Sequence, residues 1–189
     1  MPAMVKEFAQ HKGIDIQHEV ISAGGASLRR HFNRGASDKI RAARWDYVVL
    51  QEQSTLPNKN RKRFHENVRE FMPAVKDAGA KLVLYMTWAR KNEPENQALL
   101  TDGYNEIGEE LGATVVPAGI AWKLRLAEYS EPVLHDRDGS HPTFAGTYLA
   151  ACTLFLTLFG DEPADLETDE LTDDDQKLLQ RFASAALKR

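Results

Sequence analysis

The 189-residue sequence has one cysteine, no excess of positive charge and no long apolar run. A single cysteine, Cys152, cannot form an internal disulfide and does not suffice for most structural zinc sites. It lies in the apolar run Tyr148–Phe159, so we expect a buried thiol. With a formal net charge of -4, the chain lacks the basic face that nucleic-acid binding requires, and no nucleic-acid partner is predicted.

Membrane and export signals are also missing from the sequence. The apolar run at residues 148–159 has the length of a buried core helix and is shorter than a membrane span. Residues 1–11 lack the basic-then-apolar pattern of a secretion signal. As written, the chain is therefore expected to be cytoplasmic, with no membrane partner.

Cofactor signals are equally sparse. No Gly-x-Gly-x-x-Gly motif and no phosphate loop occurs, so nucleotide binding has no support. The side chains of His135, Asp136, Asp138 and His141 could bind a metal, but no second carboxylate–histidine group stands at a matching spacing. We predict neither a metal nor another cofactor.

What is present is the pattern of one α/β domain over residues 1–189. Hydrophobic residues make up 42% of the chain and charged residues 28%, as in ordinary globular proteins. Strand-like runs alternate with helical patterns, which predicts right-handed βαβ units and a parallel sheet covered by helices on both faces. The predicted strands are Ile14–Ile21, Asp46–Leu50, Lys81–Thr87 and Ala113–Pro117.

Helices are predicted from apolar spacings of three and four residues. One such face runs from Phe64 to Val75 and ends before Gly79, and another runs from Leu100 to Leu111. The nearly apolar stretch at residues 143–159 predicts a buried helix. Near the end of the chain, Thr172 can cap a helix that has three aspartates in its first turn and Lys188 and Arg189 in its last, within a C-terminal extension at residues 165–189.

Two polar segments follow predicted strands. In parallel sheets, functional residues gather at the carboxyl ends of the strands. Gly24 and Gly25 could bring a backbone N–H close to a ligand, although this segment taken alone favours a tight strand–helix turn. Gln51 directly follows an apolar strand, and its amide could donate to an oxyanion or only satisfy loop backbone.

The most specific pattern is Asp138 followed three residues later by His141 and then Pro142. A carboxylate at this spacing can accept the imidazole N–H, fix its tautomer and leave the other ring nitrogen free as a general base. We expect Pro142 in the first turn of the following helix. The alternative is an aspartate that caps a helix beside an incidental histidine.

These segments together resemble the SGNH/GDSL hydrolase superfamily of serine esterases. Asp138–Pro142 followed by Ala145–Leu149 is similar to the last signature block, an Asp-x-x-His-Pro before the final core helix. Val48–Gln51 resembles the block that closes the third strand, and Gly24–Gly25 resembles the glycine block after the second. With Tyr85–Ala89, the combination is similar to a bacterial SGNH subgroup of largely undefined substrate, over roughly residues 3 to 160.

The resemblance implies roles for individual residues. His141 would be the general base and Asp138 its orienting acid. The N–H of Gly24 or Gly25 and the side chain of Gln51 would form the oxyanion hole, although the superfamily usually has Asn where this chain has Gln51. A glutamine can still donate through its NH2 group.

The family's Gly-Asp/Asn-Ser block, which ends the first strand and supplies the nucleophile, is absent from the sequence. Because residues 2–9 resemble the helix that follows that block, we expect the first strand and its serine to precede residue 1. Ser140 adjoins His141, but neighbouring side chains diverge. Ser22, Ser27 and Ser54 do not stand on the required turn, so no nucleophile is predicted in this chain.

The implied fold is a three-layer α/β/α, flavodoxin-like sheet that lacks its first strand. In the order 2-1-3-4-5, that strand would separate Ile14–Ile21 from Asp46–Leu50. We expect these two segments to pair directly, in a four-stranded order 2-3-4-5 whose exposed edge favours a homodimer.

The implied function is hydrolysis of a small-molecule carboxylic ester, such as an acetylated sugar. A non-catalytic SGNH-like binding domain is the alternative.

Overall fold

The computed structural model describes residues 1–188. Residue contacts divide the chain into two compact units. The sheet unit comprises Val20–Thr87 and Ala98–Val116, and the helical unit comprises Met1–Glu19, Trp88–Gln97 and the chain from Pro117 onward. The elements are, in chain order, α1 (Pro2–His11), α2 (Leu28–Asn33), α3 (Ala36–Arg41), β1 (Tyr47–Leu50), α4 (Leu56–Lys59), α5 (Arg61–Asp77), β2 (Lys81–Tyr85), α6 (Asn96–Leu111), β3 (Thr114–Val116), α7 (Ala118–Glu128), α8 (Phe144–Phe159) and α9 (Asp173–Leu187).

The sheet unit contains a parallel sheet in the order β1-β2-β3, flanked by helices. Val48 pairs with Leu82, and Leu84 pairs with Val115. β1, β2 and β3 confirm the strands predicted at Asp46–Leu50, Lys81–Thr87 and Ala113–Pro117. Together they confirm a parallel α/β fold. Their short apolar runs form strands because the sheet buries them; Val83, for example, is 0% exposed.

The predicted strand at Ile14–Ile21 and its pairing with Asp46–Leu50 are wrong, because this segment has no regular structure. The described sheet has three strands rather than the four expected. A strand is stable only beside a partner that completes its hydrogen bonds. In the strand order that the resemblance implies, 2-1-3-4-5, the partner of this segment is a strand that is not among the described ones. The last two residues of this segment, Val20 and Ile21, are therefore not buried in a sheet and are 59% and 42% exposed.

Two predicted helices cover the sheet within its own unit. In α5, Phe64, Val68, Phe71 and Val75 form the buried face that their spacing predicts. This helix ends at Asp77, before Gly79. α6 ends at Leu111, as predicted, and lies so close to β3 that a side chain at Gly108 would overlap Val115.

The helical unit is built around α8, the apolar helix predicted at residues 143–159. Phe8 of α1 makes edge-on ring contacts with Tyr148 and Phe155, and α7 and α9 pack on α8 as well. Cys152 is completely buried, as predicted, and burial raises the pKa of its thiol. Among residues 1–188, no helix combines the length and apolar character needed to cross a membrane.

The predicted C-terminal helix is present as α9. Thr172 accepts a hydrogen bond from the N–H of Asp175, whose carboxylate accepts one in return from the Thr172 N–H. This capping box satisfies helix N–H groups that have no intrahelical acceptor. Lys188 is the C-cap residue, and Arg189 lies outside the described residues.

Candidate active site

Asp138 and His141 form the hydrogen-bonded pair that their spacing predicts. His141 Nδ1–H donates to Asp138 Oδ2 over 2.5 Å. The other oxygen, Oδ1, accepts the backbone N–H groups of Ser140 at 2.8 Å and His141 at 2.9 Å. The bond from the His141 ring, followed by the two backbone bonds, holds the pKa of Asp138 well below its ordinary value.

The pair lies in the histidine loop, which we define as Asp136–Pro142. The Asp136 N–H donates to the His141 carbonyl at 2.8 Å, and an antiparallel bridge joins Pro142 to His135. Gly139 closes the turn with a left-handed φ of 67°. The prediction that Pro142 begins the next helix is wrong, because Thr143 caps α8 and the helix begins at Phe144. The loop is therefore a small hairpin that comes before the helix.

The His141 side chain is 79% exposed. Because Nδ1 carries the proton that forms the hydrogen bond to Asp138, the neutral ring has its lone pair on Nε2. Nε2 has no hydrogen-bond partner among residues 1–188. The arrangement can therefore accept a proton at Nε2 while Asp138 stabilises the resulting imidazolium.

Three aromatic side chains, Trp88, Trp122 and His135, form a support cluster beneath the loop. The two indoles stack with centroids 3.9 Å apart, and the Trp122 ring meets His135 at 4.8 Å. Trp88 Nε1–H donates to the carbonyl of Ser140 at 3.0 Å. The residue beside the candidate base is thus fixed by an indole that lies far from it in the sequence.

His135 is a structural histidine in this cluster, 5% exposed. Its Nε2 lies 3.0 Å from the carbonyl oxygen of Ala89, which can only accept, so Nε2 carries the proton. Burial lowers the pKa of His135, which favours the neutral ring. The sequence suggested His135 only as a possible metal ligand, and its structural role was missed. The position of His135 before the Asp-x-x-His motif does not indicate that role.

The glycine loop, Ser22–Ser27, lies in the sheet unit. The N–H of Ala26 donates to the carbonyl of Ala23, and Gly25 adopts a left-handed φ of 64°. Apart from the adjacent residues of the chain, no described atom lies within 4 Å of a Cβ built on Gly24 or Gly25. Their N–H groups donate to no acceptor among residues 1–188. The loop thus contains a turn, in which Gly24 and Gly25 are exposed.

Gln51 directly follows β1, as predicted, and is exposed at the carboxyl end of the strand. The next residue, Glu52, is buried and was missed by the sequence reasoning. Its carboxylate accepts the N–H of Leu28 at 2.9 Å and the side-chain amide of Asn67 at 2.8 Å. It also accepts the N–H of Gln53 at 2.8 Å. Glu52 therefore ties the segment after β1 to the first residue of α2, which directly follows the glycine loop.

The structure thus brings together Asp138 and His141 in the helical unit, and it places Gly24, Gly25 and Gln51 in the sheet unit. No sequence pattern indicates the role of Glu52, because the Leu28 N–H and the Asn67 amide that it accepts lie 24 and 15 residues away along the chain. Within residues 1–188, no group of three or more His, Cys, Asp or Glu side chains is placed to hold a metal ion.

Known structures identify the fold. The chain matches no protein-family model and no curated protein. A DUF4886-family protein from Bacteroides uniformis superposes with a TM-score of 0.78 at 19% identity, over 97% of this chain and 88% of that chain. A protein from Slackia heliotrinireducens, whose assignment as an SGNH hydrolase is inferred, gives a TM-score of 0.68 at 26% identity, over 82% and 90%.

A variant of an acetyl-xylooligosaccharide esterase from Geobacillus is also similar, with a TM-score of 0.71 at 16% identity over 87% of this chain and 83% of that chain. The chain therefore has an SGNH-hydrolase-like fold. This confirms, at the level of the fold, the resemblance that the sequence motifs predicted.

Proposed function

We propose that the protein is a carboxylic-ester hydrolase of SGNH type that acts on acyl or acetyl esters, including those of carbohydrates. The observation that carries this proposal is the Asp138–His141 pair, hydrogen-bonded through Nδ1 with Nε2 exposed, in a chain with an SGNH-hydrolase-like fold. The acetyl-xylooligosaccharide esterase among its structural relatives supports the choice of an acetylated sugar.

In the proposed reaction, His141 Nε2 removes the proton of a serine hydroxyl as the serine oxygen attacks the ester carbonyl. Asp138 holds the ring in the Nδ1–H tautomer and stabilises the imidazolium. The N–H of Gly24 or Gly25 and the amide of Gln51 donate to the oxyanion. His141 then gives its proton to the departing alcohol, and a water molecule hydrolyses the acyl-serine by the same steps.

The serine in this scheme is not one that the 189 residues supply. Ser140 adjoins His141, but its N–H donates to Asp138 and its carbonyl accepts from Trp88, which fixes its backbone in the loop. Ser27 caps α2 by accepting the N–H of Arg30. We propose that the nucleophile lies on a Gly-Asp/Asn-Ser strand outside these residues.

A non-catalytic SGNH-like binding domain is the second candidate. The absence of the Gly-Asp/Asn-Ser block from the sequence favours it. The two candidates differ in what the coding sequence upstream of Met1 contains. An in-frame apolar strand that ends in Gly-Asp/Asn-Ser favours the hydrolase, and its absence favours the binding domain.

The decisive test is turnover of p-nitrophenyl acetate by the 189-residue chain and by the chain that includes the upstream strand. We expect no turnover by the short chain above a His141→Ala control. The longer chain should hydrolyse the ester and lose nearly all activity with His141→Ala, and most of it with Asp138→Asn. If a fluorophosphonate labels a serine of the short chain stoichiometrically, the nucleophile is within the 189 residues and this scheme is wrong.

We further propose that, in the 189-residue chain without the upstream strand, β1 pairs with the same strand of a second copy to form a homodimer. β1 is an edge strand of the described sheet, and Val49 within it is 41% exposed. Edge strands with exposed apolar residues pair readily with other chains. Light scattering should show a dimer that Val49→Lys converts to a monomer; a monomeric wild-type protein would rule the pairing out.

A further inference from the structure

A basic cleft lies beside the candidate catalytic pair, within the helical unit. Its volume is about 410 Å³, and its lining residues are Arg90, Lys91, Asn92, Arg137, Asp138 and Gly139. Two loops form it: residues 88–95 and the histidine loop. Because Asp138 lines the cleft and binds His141, a ligand held there lies next to the proposed general base.

A backbone hydrogen bond connects the two loops. The Lys91 N–H donates to the carbonyl of Gly139 at 2.9 Å. A Cβ built on Gly139 would lie 3.4 Å from that of Lys91, which shows how closely the loops approach. Two of the cations, Lys91 and Arg137, therefore extend from backbone positions fixed relative to Asp138.

The three cations of the cleft have no ion-pair partner among residues 1–188. Both oxygens of Asp138, the one acid in the lining, already accept hydrogen bonds. Two other acids of these loops accept hydrogen bonds: Asp136 accepts the N–H of Arg137, and Glu93 accepts the side-chain amide of Asn96. Other exposed arginines, such as Arg69, do pair with acids. A chain of net charge -4 thus places three unpaired cations around one cleft.

We propose that this cleft binds an anionic group of the ester substrate, a carboxylate or a phosphate, so that the protein acts on esters of acidic sugars or similar anionic alcohols. This inference rests on the proposed hydrolase function. Guanidinium groups match carboxylate and phosphate oxygens with paired N–H donors, and a lysine adds a further positive charge. The anion would orient the alcohol part of the ester while His141 acts at the acyl group.

The test measures binding, without turnover, to the 189-residue chain. Amide NMR shifts are followed during titration with methyl glucuronide, glucose 6-phosphate and methyl glucoside. We expect saturable shifts at Lys91 and Gly139 with the two anions and none with the neutral glucoside. Which anion binds more tightly distinguishes a carboxylate from a phosphate ligand. Binding should weaken as salt is added, because exposed charges are screened.

Substitutions then locate the site. Arg137→Ala and Lys91→Ala should each weaken anion binding about two- to fivefold, and the double variant should weaken it further. Lys123→Ala removes an exposed cation outside the cleft and should leave the affinity unchanged. The inference is overturned if the glucoside binds as well as the anions, or if Lys123→Ala weakens binding as much as Arg137→Ala does.

These outcomes are separate from those of the esterase test. If the anions bind but the longer chain hydrolyses no ester, the proposed hydrolase function fails although the cleft is real. If the longer chain hydrolyses p-nitrophenyl acetate through His141 but no anion binds, only the inference about the cleft fails.

Discussion

The histidine loop is held mostly by hydrogen bonds within the loop, whereas the helix after the glycine loop is held by a carboxylate from another segment. In the histidine loop, Asp138 alone accepts three hydrogen bonds, one from Ser140 and two from His141. The glycine loop has one turn bond, from Ala26 to Ala23, and the helix after it is held by Glu52. The proposed base must keep one tautomer and position, whereas the proposed oxyanion donors must keep their N–H groups open.

The largest effect should come from removing Glu52 in the sheet unit. Glu52→Ala leaves three buried or half-buried donors without an acceptor, which should reduce the free energy of unfolding by about 2–5 kcal/mol. Urea unfolding measures this value. Glu70→Ala, which removes a partly exposed carboxylate paired with Arg29 in the same unit, should cost only about 0–1 kcal/mol. Equal losses in the two variants would mean that Glu52 is not what holds the glycine loop.

A smaller effect should follow from adding one methyl group beside the support cluster. The Cβ of Gly146→Ala would lie 2.5 Å from the carbonyl oxygen of Leu134 and 2.6 Å from the Trp122 ring. Because neither group is free to move, we expect a loss of about 1–3 kcal/mol in urea unfolding. The matched control is Gly24→Ala in the glycine loop, which has open space and should change stability by less than about 0.5 kcal/mol. A neutral Gly146→Ala would show that the support cluster is loosely packed.

The third expected effect is a pH dependence that comes from His135 in the support cluster. Burial lowers the pKa of His135 below its ordinary value of 6.5; Lys91 and Arg125 lower it further, while the Ala89 hydrogen bond and Asp138 oppose the shift. Below pH 6.5, His135 therefore binds a proton in the unfolded chain, whereas in the folded protein it does so only at lower pH. The free energy of unfolding should fall as the pH drops from 6.5 to the folded-state pKa, and no further below it.

Urea unfolding from about pH 8 to about pH 5 tests this dependence. His135→Gln should flatten the slope in that window, whereas His31→Gln in the sheet unit serves as the control and should leave it in place. Asp138 acts in a separate window. Because its pKa is lowered from 3.8, its stabilising effect is present above that pH and is lost only as the pH falls towards its folded-state pKa. A slope that survives His135→Gln would assign the titration to another group.

Much of the site could be read from the sequence because its main contact is local. Asp138 and His141 are three residues apart, so the loop itself brings them together. Gln51 directly follows an apolar run, so the sequence predicts that Gln51 lies at the end of β1. Glu52 and His135 were missed as supporting residues because their partners lie 15 to 46 residues away, and no local pattern specifies such contacts.

The sequence by itself determined the three strands, the apolar faces of α5 and α6, the buried helix α8 and the capped helix α9. Each of these depends on periodicity or capping within one segment. Only the tertiary structure decided that Ile14–Ile21 does not form a strand, because a strand requires a partner and β-propensity alone does not provide one. It also decided that the Trp88 indole fixes Ser140 from 52 residues away, because that bond depends on how the chain packs.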